Sequence, residues 1–122
     1  MIEVLKGFPA TVLAFACTGE VTQGDYETVL MPAIEEALKG HGKVRLYYRI
    51  GPELSGIRAG AVWDDFKVGI EHLSRWERAA VVTDSDAIRF AARAFGFLVP
   101  GGTRVFELKD EDKAREWIQE DL

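Results

Sequence analysis

Apolar and polar residues recur along the chain with two different periods, which predict a mixture of strands and helices. Short apolar or alternating runs, typical of strands, occur at 2–6, 11–19, 43–50, 78–84 and 103–108. Apolar residues at i, i+3 and i+4 spacing, typical of helices, occur within 22–39, 61–76, 85–99 and 110–122. The pattern therefore predicts the element order β-β-α-β-α-β-α-β-α.

This order predicts an α/β fold with a five-stranded, mostly parallel sheet covered by helices. The first two runs are separated by the turn signal Gly7-Phe8-Pro9 and can pair as a hairpin. Each later strand is followed by a helix, and crossovers of this length return the chain in the same direction. With 122 residues, of which 48% are apolar, residues 1–122 are expected to form one domain.

Local signals mark the ends and interruptions of these elements. Thr22 is a plausible cap of the first helix, with Asp25 three residues later, and Pro32 interrupts the helical pattern. The glycine-containing segment Gly51–Gly60 predicts a mobile loop that can act as a gate. Cys17 lies in an apolar strand and is expected to be a buried, inert thiol.

Composition and charge exclude several classes of protein. The net charge is −5 and no run of Lys and Arg is present, which argues against nucleic acid as a partner. No stretch approaches the ~20 apolar residues of a membrane-spanning helix, and Met1 is not followed by a signal-peptide pattern. We therefore expect a cytoplasmic protein. One cysteine with His41 and His72 excludes an internal disulfide and leaves too few ligands for a zinc cluster, so no metal or cofactor is expected.

The predicted helix 85–99 carries apolar residues on two sides. At about 100° per residue, one stripe contains Ile88, Ala91, Ala92, Phe95 and Val99, and the opposite side contains Phe90, Ala94 and Phe97. Arg89 and Arg93 flank this second side. It can dock into another copy of the protein, cover an apolar ligand or rest on an anionic lipid surface. Alternatively, a neighbouring helix of the same chain buries it.

The junction "VVTDSDAIRF" is a second candidate site, because ligands bind at the carboxyl ends of strands in open α/β sheets. Capping of the helix by Asp84, Ser85 or Asp86 is the more economical interpretation. The two aspartates also argue against an anionic ligand at this place.

Three pieces of the sequence, in this order, resemble the SpoIIAA-like family: "GEVTQGDYETVLMPAIEEALKGHGKVRL", "AVWDDFKVGIEHLSRWERAAVVTDS" and "TRVFEL". The resemblance runs from about Ile2 to Ile118. It implies a STAS-like fold, distantly similar to the CRAL-TRIO lipid-binding fold, with self-association, no established enzymatic activity and a role in binding an apolar ligand or membrane. Some STAS domains are switched by phosphorylation of a serine that begins a helix. The nearest serine is Ser55, which lacks the preceding aspartate of that motif.

Two hypotheses about function follow. The first is a non-enzymatic STAS-like module that binds an apolar ligand, or associates peripherally with a membrane, through helices 61–76 and 85–99. The second is a protein–protein module that uses the same surface, either as a homodimer or as an anti-sigma-antagonist-like regulator. An enzyme comes third, because no phosphate-binding loop, GxSxG motif or convergent titratable cluster is present. The candidate ligand, membrane or interface residues are Trp63, Phe66, Arg89, Phe90, Arg93, Phe97 and Leu98.

Overall fold

The structure, a computed structural model, describes residues 1–57, 75–96 and 102–122. The described strands form one sheet in the order β1-β2-β3-β4-β5. β1 is antiparallel to β2, and all other neighbouring strands are parallel. The predicted hairpin and mainly parallel sheet are therefore confirmed. The strands are β1 (Ile2–Val4), β2 (Val12–Val21), β3 (Val44–Ile57), β4 (Trp76–Thr83) and β5 (Thr103–Phe106).

One row of paired residues crosses all five strands. It consists of Val4, Phe15, Tyr48, Val81 and Val105. Within the row, the rings of Phe15 and Tyr48 meet edge to face with centroids 6.4 Å apart. Because side chains alternate between the two faces of a strand, this register determines which residues of each strand share a face.

The first helical segment is divided into three parts. α1 (Gln23–Asp25) leads into a π-helical turn (Tyr26–Leu30), and α2 (Met31–Gly40) follows. Pro32 stands at the start of α2. Proline has no N–H to donate to the carbonyl four residues earlier, and its ring clashes with that carbonyl in a regular helix. A wider, π-helical turn before the proline is compatible with both restrictions. The interruption predicted at Pro32 thus takes the form of a π-helical turn.

The predicted cap of this segment is present. The backbone N–H of Thr22 donates to Asp25 Oδ2 at 2.8 Å, and the N–H of Asp25 donates to Thr22 Oγ1 at 3.4 Å. This is a reciprocal pair of the capping-box kind. The hydrogen bond from the Thr22 N–H stabilises the charged carboxylate and lowers the pKa of Asp25.

The sheet carries a separate apolar core on each face. One core joins strand residues to the first helical segment and to α3 (Asp86–Gly96), and includes Phe15, Cys17, Tyr48, Ile50, Leu30, Ile34 and Ile88. The other joins the opposite face to α4 (Glu111–Ile118), and includes Val12, Ala14, Tyr47, Ala80, Val82, Ala114 and Ile118. Parallel crossovers of one hand place successive helices on one face, and α4, which follows the last strand, covers the other.

Two predicted boundaries are wrong. β3 continues to Ile57, so Ser55 lies in a strand and not in a loop. The long β2 explains this, because Glu20 pairs with Gly56 and Val21 with Ile57, and Pro52 lies where the register of this pairing shifts.

The second difference concerns the predicted helix 61–76. Residues 61–74 lie outside the described part of the chain, and Trp76 is the first residue of β4. Trp76 pairs with Val44 and is buried in the first core. Its spacing from Leu73 is compatible with a helical stripe, but strand pairing determines its conformation.

Candidate functional site

The site begins at the junction between β4 and α3, where the chain turns from strand to helix. The hydroxyl oxygen of Thr83 accepts a hydrogen bond from the N–H of Ser85 at 3.1 Å. Ser85 Oγ in turn accepts from the N–H of Ile88 at 3.4 Å, as an N-cap residue does. The predicted capping role of Ser85 is confirmed.

Asp84 connects this junction to the chain after β5. Its Oδ1 accepts a hydrogen bond from the N–H of Leu108 at 3.0 Å. Leu108 begins a short 3-10 helix (Leu108–Asp110) that leads into α4. The Asp84 carboxylate therefore links the start of α3 to the 3-10 helix, which lies 24 residues later in the sequence.

A cavity of about 220 Å³ opens at this place, beside the carboxyl end of β4 and the first turn of α3. Its apolar wall comes from the side chains of Ile50, Ile88 and Leu108. Its polar wall comes from Thr83, Asp84 and Ser85, with Gly51 between the two parts. The cavity thus has an apolar side and a hydrogen-bonding side.

Helix α3 has one side directed to the core and one side directed to solvent. Ile88 packs against the core on the first face of the sheet. Phe90 has 76% of its surface exposed, and Arg93, one turn further along, is also exposed. This exposure contradicts the alternative in which Phe90 is buried within the chain, and among residues 1–57, 75–96 and 102–122 no helix covers it.

The two arginines of α3 differ in their surroundings. Arg89 is mostly buried, and its Nη1 lies 3.9 Å from Glu107 Oε1, while its buried Nε finds no hydrogen-bond acceptor. Lys109 Nζ lies 3.2 Å from Glu107 Oε2, and its hydrogen bond to this carboxylate raises the pKa of the lysine. Arg89 is thus engaged with the chain after β5, whereas Arg93 extends into solvent.

The other predicted site residues divide into two groups. Trp63, Phe66, Phe97 and Leu98 lie outside the described residues, so their place relative to Phe90 stays a prediction. Ser55 lies in β3, where it does not begin a helix as the switch serine of a STAS domain does. Of the predicted contact residues that the structure describes, Phe90 and Arg93 share the exposed side of α3.

The β4–α3 junction was predicted from the sequence, but most of the cavity residues were not. Ile50 and Gly51 stand at the end of one predicted strand, and Leu108 follows another, with no motif that links them. The useful signal was topological, because parallel strands end at a common edge of the sheet. The size of the cavity and the residues that line it depend on how the strands are aligned.

The described residues, 1–57, 75–96 and 102–122, contain no group of three His, Cys, Asp or Glu side chains that could hold a metal ion. Among the helices of this part of the chain, none is both long and apolar enough to cross a membrane.

Comparisons with known proteins agree on the family. Residues 12–119 match the SpoIIAA-like family model. A crystal structure of an uncharacterised protein from Shewanella loihica PV-4 with a SpoIIAA-like fold is similar, with a TM-score of 0.72 and 29% identity. The similarity covers 97% of this chain and 92% of that one. A comparison with curated proteins gave no significant match. The match to the family model over most of the chain and the shared fold confirm the resemblance: the chain belongs to the SpoIIAA-like family.

Proposed function

We propose that this SpoIIAA-like domain is a non-enzymatic binding module that attaches peripherally to an anionic membrane through the outward side of α3. The observation that carries the proposal is the exposure of Phe90. An aromatic ring with 76% of its surface in water, on a helix whose other side packs on the core, is available for an apolar environment. A ring at this position can enter the boundary between lipid headgroups and acyl chains.

Arg93 supplies the electrostatic part of the proposal. It is exposed three residues after Phe90, and residues at this spacing are neighbours on a helix surface. A guanidinium beside an inserted ring can contact lipid phosphates. The chain as a whole carries a net charge of −5, so an anionic surface would select the orientation that presents this side of α3.

The expected attachment is weak and reversible. Burial of one phenylalanine stabilises by roughly 1.5–3 kcal/mol, and one arginine near an anionic surface adds about 1 kcal/mol. Stable anchoring requires more than one such signal. Trp63, Phe66, Phe97 and Leu98 would strengthen the contact if they extend the same surface, as the sequence pattern predicts.

The polar groups beside α3 support a binding role over a catalytic one. The Ser85 hydroxyl caps the helix, and the Asp84 carboxylate accepts the N–H of Leu108. Both side chains bond backbone groups, which favours a role in holding the β4–α3 junction over a role as nucleophile or general base.

Flotation with vesicles tests the proposal. The protein is mixed with vesicles of phosphatidylcholine alone, or of phosphatidylcholine with phosphatidylglycerol, at low and moderate salt. We expect flotation with the anionic vesicles, less of it at moderate salt, because screening weakens the contact of Arg93. Phe90→Asp should abolish flotation and Arg93→Gln should reduce it.

Leu122→Asp is the matched control. Leu122 is another exposed apolar residue, at 58%, and the variant introduces the same charge away from α3. It should float like the parent protein. Equal loss of flotation in both variants would show an effect of net charge alone and would contradict the proposal. No flotation of the parent protein, with a dimer that Phe90→Asp dissociates in sedimentation, would establish a protein interface instead.

A further inference from the structure

The cavity beside β4 and α3 is lined in part by Thr83, a buried residue whose hydroxyl has a hydrogen to donate. Thr83 is only 1% exposed and lines the cavity. Its oxygen accepts the N–H of Ser85, but a threonine hydroxyl also has one hydrogen to donate. Within the described residues, that hydrogen meets no acceptor. A buried donor without a partner is unfavourable, and a ligand oxygen in the cavity would supply one.

The rest of the cavity determines the size and shape of such a ligand. Ile50, Ile88 and Leu108 present aliphatic carbons to it. Its volume of about 220 Å³ exceeds the roughly 150 Å³ of an engineered apolar cavity that binds benzene. The space therefore suits one small ring or a short branched chain, and is too small for a complete lipid.

Charge at the cavity argues for a neutral ligand. The Asp84 carboxylate is part of its wall and Asp86 is exposed on the first turn of α3, so a ligand anion would meet two like charges. A cation would face the amino end of the helix, where the backbone dipoles present partial positive charge. A neutral oxygen acceptor avoids both costs.

We infer that this cavity is a binding site for a small neutral molecule with an apolar body and one oxygen acceptor, such as a ketone, ester or alcohol. The apolar body lies against Ile50, Ile88 and Leu108, and the oxygen accepts from Thr83 Oγ1. This site is separate from the membrane contact proposed for Phe90 and does not depend on it.

Three probes that share a six-membered ring test the inference. Cyclohexanone and methylenecyclohexane have nearly the same shape and differ in the replacement of the oxygen by carbon, and cyclohexanecarboxylate carries a charge. Each is titrated into isotope-labelled protein, and the amide signals of Gly51, Ser85 and Ile88 are followed by NMR. Cyclohexanone should shift them in a saturable manner. Methylenecyclohexane should bind about 3- to 10-fold more weakly, the range for one hydrogen bond, and cyclohexanecarboxylate more weakly still.

Substitutions then assign the roles of the residues. Thr83→Val should remove the preference for cyclohexanone, and Thr83→Ser, which keeps a hydroxyl, should retain it. Ile88→Phe, which fills the cavity, should abolish binding of every probe. Phe90→Asp should leave cyclohexanone binding unchanged, which separates this site from the membrane contact.

Several results would overturn the inference. If no probe gives saturable shifts at these amides, the cavity is not a site. If cyclohexanone and methylenecyclohexane bind the parent protein equally, Thr83 does not recognise an oxygen. If cyclohexanecarboxylate binds most tightly, the ligand is an anion and the argument from Asp84 is wrong.

Discussion

The phenolic oxygen of Tyr47, near the start of β3, lies 3.0 Å from Glu111 Oε2 at the start of α4. Arg49 Nε lies 3.2 Å from the same carboxylate oxygen. Glu111 thus accepts a hydrogen bond from Tyr47 and forms an ion pair with Arg49 of the same strand. The helix α4 is therefore attached to the sheet by a polar group as well as by its apolar side. Burial of the phenol, and then the Glu111 carboxylate, raise the pKa of Tyr47.

Tyr47→Phe should lower the free energy of unfolding by about 1 kcal/mol. The ring packing against Phe8, with centroids 4.9 Å apart, is retained in this variant, so the loss reports the hydroxyl. Urea unfolding followed by circular dichroism measures it. In a double-mutant cycle with Glu111→Ala, which removes the acceptor, the two losses should not add, because both variants remove the same hydrogen bond. Full additivity would mean that the interaction between Tyr47 and Glu111 does not contribute to the free energy of unfolding.

Stability should fall at high pH because of the same tyrosine. The pKa of Tyr47 is raised in the folded protein above its ordinary value of 10.0, so the unfolded chain releases this proton first. The contribution of the protonated phenol to the free energy of unfolding is complete below about pH 10 and is lost as the pH rises above it. Urea unfolding between about pH 9 and about pH 11 should therefore show a steeper decline for the parent protein than for Tyr47→Phe. Parallel declines would contradict this assignment.

Arg45→Met should destabilise the protein by roughly 1–3 kcal/mol. Arg45 is only 4% exposed, and it pairs with Glu77 while donating to the backbone oxygens of Ile118 (3.0 Å) and Glu120 (2.5 Å). Methionine fills similar space but leaves these carbonyls without a donor. Unfolding by urea gives the magnitude.

Glu77→Gln is the control for the ion pair. Glu77 is half-exposed, so loss of its charge should cost less than loss of Arg45. Hydrogen exchange should accelerate at the end of α4 in Arg45→Met and much less in Glu77→Gln. An equal effect of both variants would assign the role of Arg45 to the ion pair and not to the carbonyls.

Acid should weaken the first helical segment through Asp25. Its pKa is lowered in the folded protein by the N–H of Thr22, so its contribution is present above the unfolded pKa of about 4. That contribution is lost as the pH falls through the lowered folded value. Asp25→Asn should lower the free energy of unfolding by about 1 kcal/mol at neutral pH. In urea unfolding, the decrease of this free energy at acid pH (the acid limb) should be smaller for the variant than for the parent protein. An acid limb identical to that of the parent protein would exclude this carboxylate.

Much of the fold followed from periods and local signals. The alternating runs predicted the five strands, and strand–helix alternation predicted their parallel pairing. The Thr22–Asp25 cap was visible because both partners lie within one turn. The extension of β3 to Ile57 was missed, since glycine and proline in that segment indicate a loop when no partner strand is considered.

The exposed side of α3 was predicted in part. A helical wheel separated Phe90 from Ile88, but which side faces water depends on what packs against the helix. The wheel also placed Arg89 beside Phe90, whereas the structure directs it to Glu107, which lies beyond β5. The sequence spacing holds no information about that partner.

The sequence alone determined the features that depend on local interactions. These are the number and order of the strands, the Thr22–Asp25 cap, the interruption at Pro32 and the two-sided character of α3. Only the tertiary structure decided the long-range partners. Arg75, for example, donates to the carbonyls of Leu38 (2.8 Å), His41 (2.7 Å) and Gly42 (2.6 Å), and so satisfies the end of α2. The cavity at Thr83 likewise depends on the pairing of Ile50 in β3 with Thr83 at the end of β4, and on the segment after β5 that brings Leu108 beside them. Periodicity reports which side of an element is apolar, and the alignment of distant elements determines what that side meets.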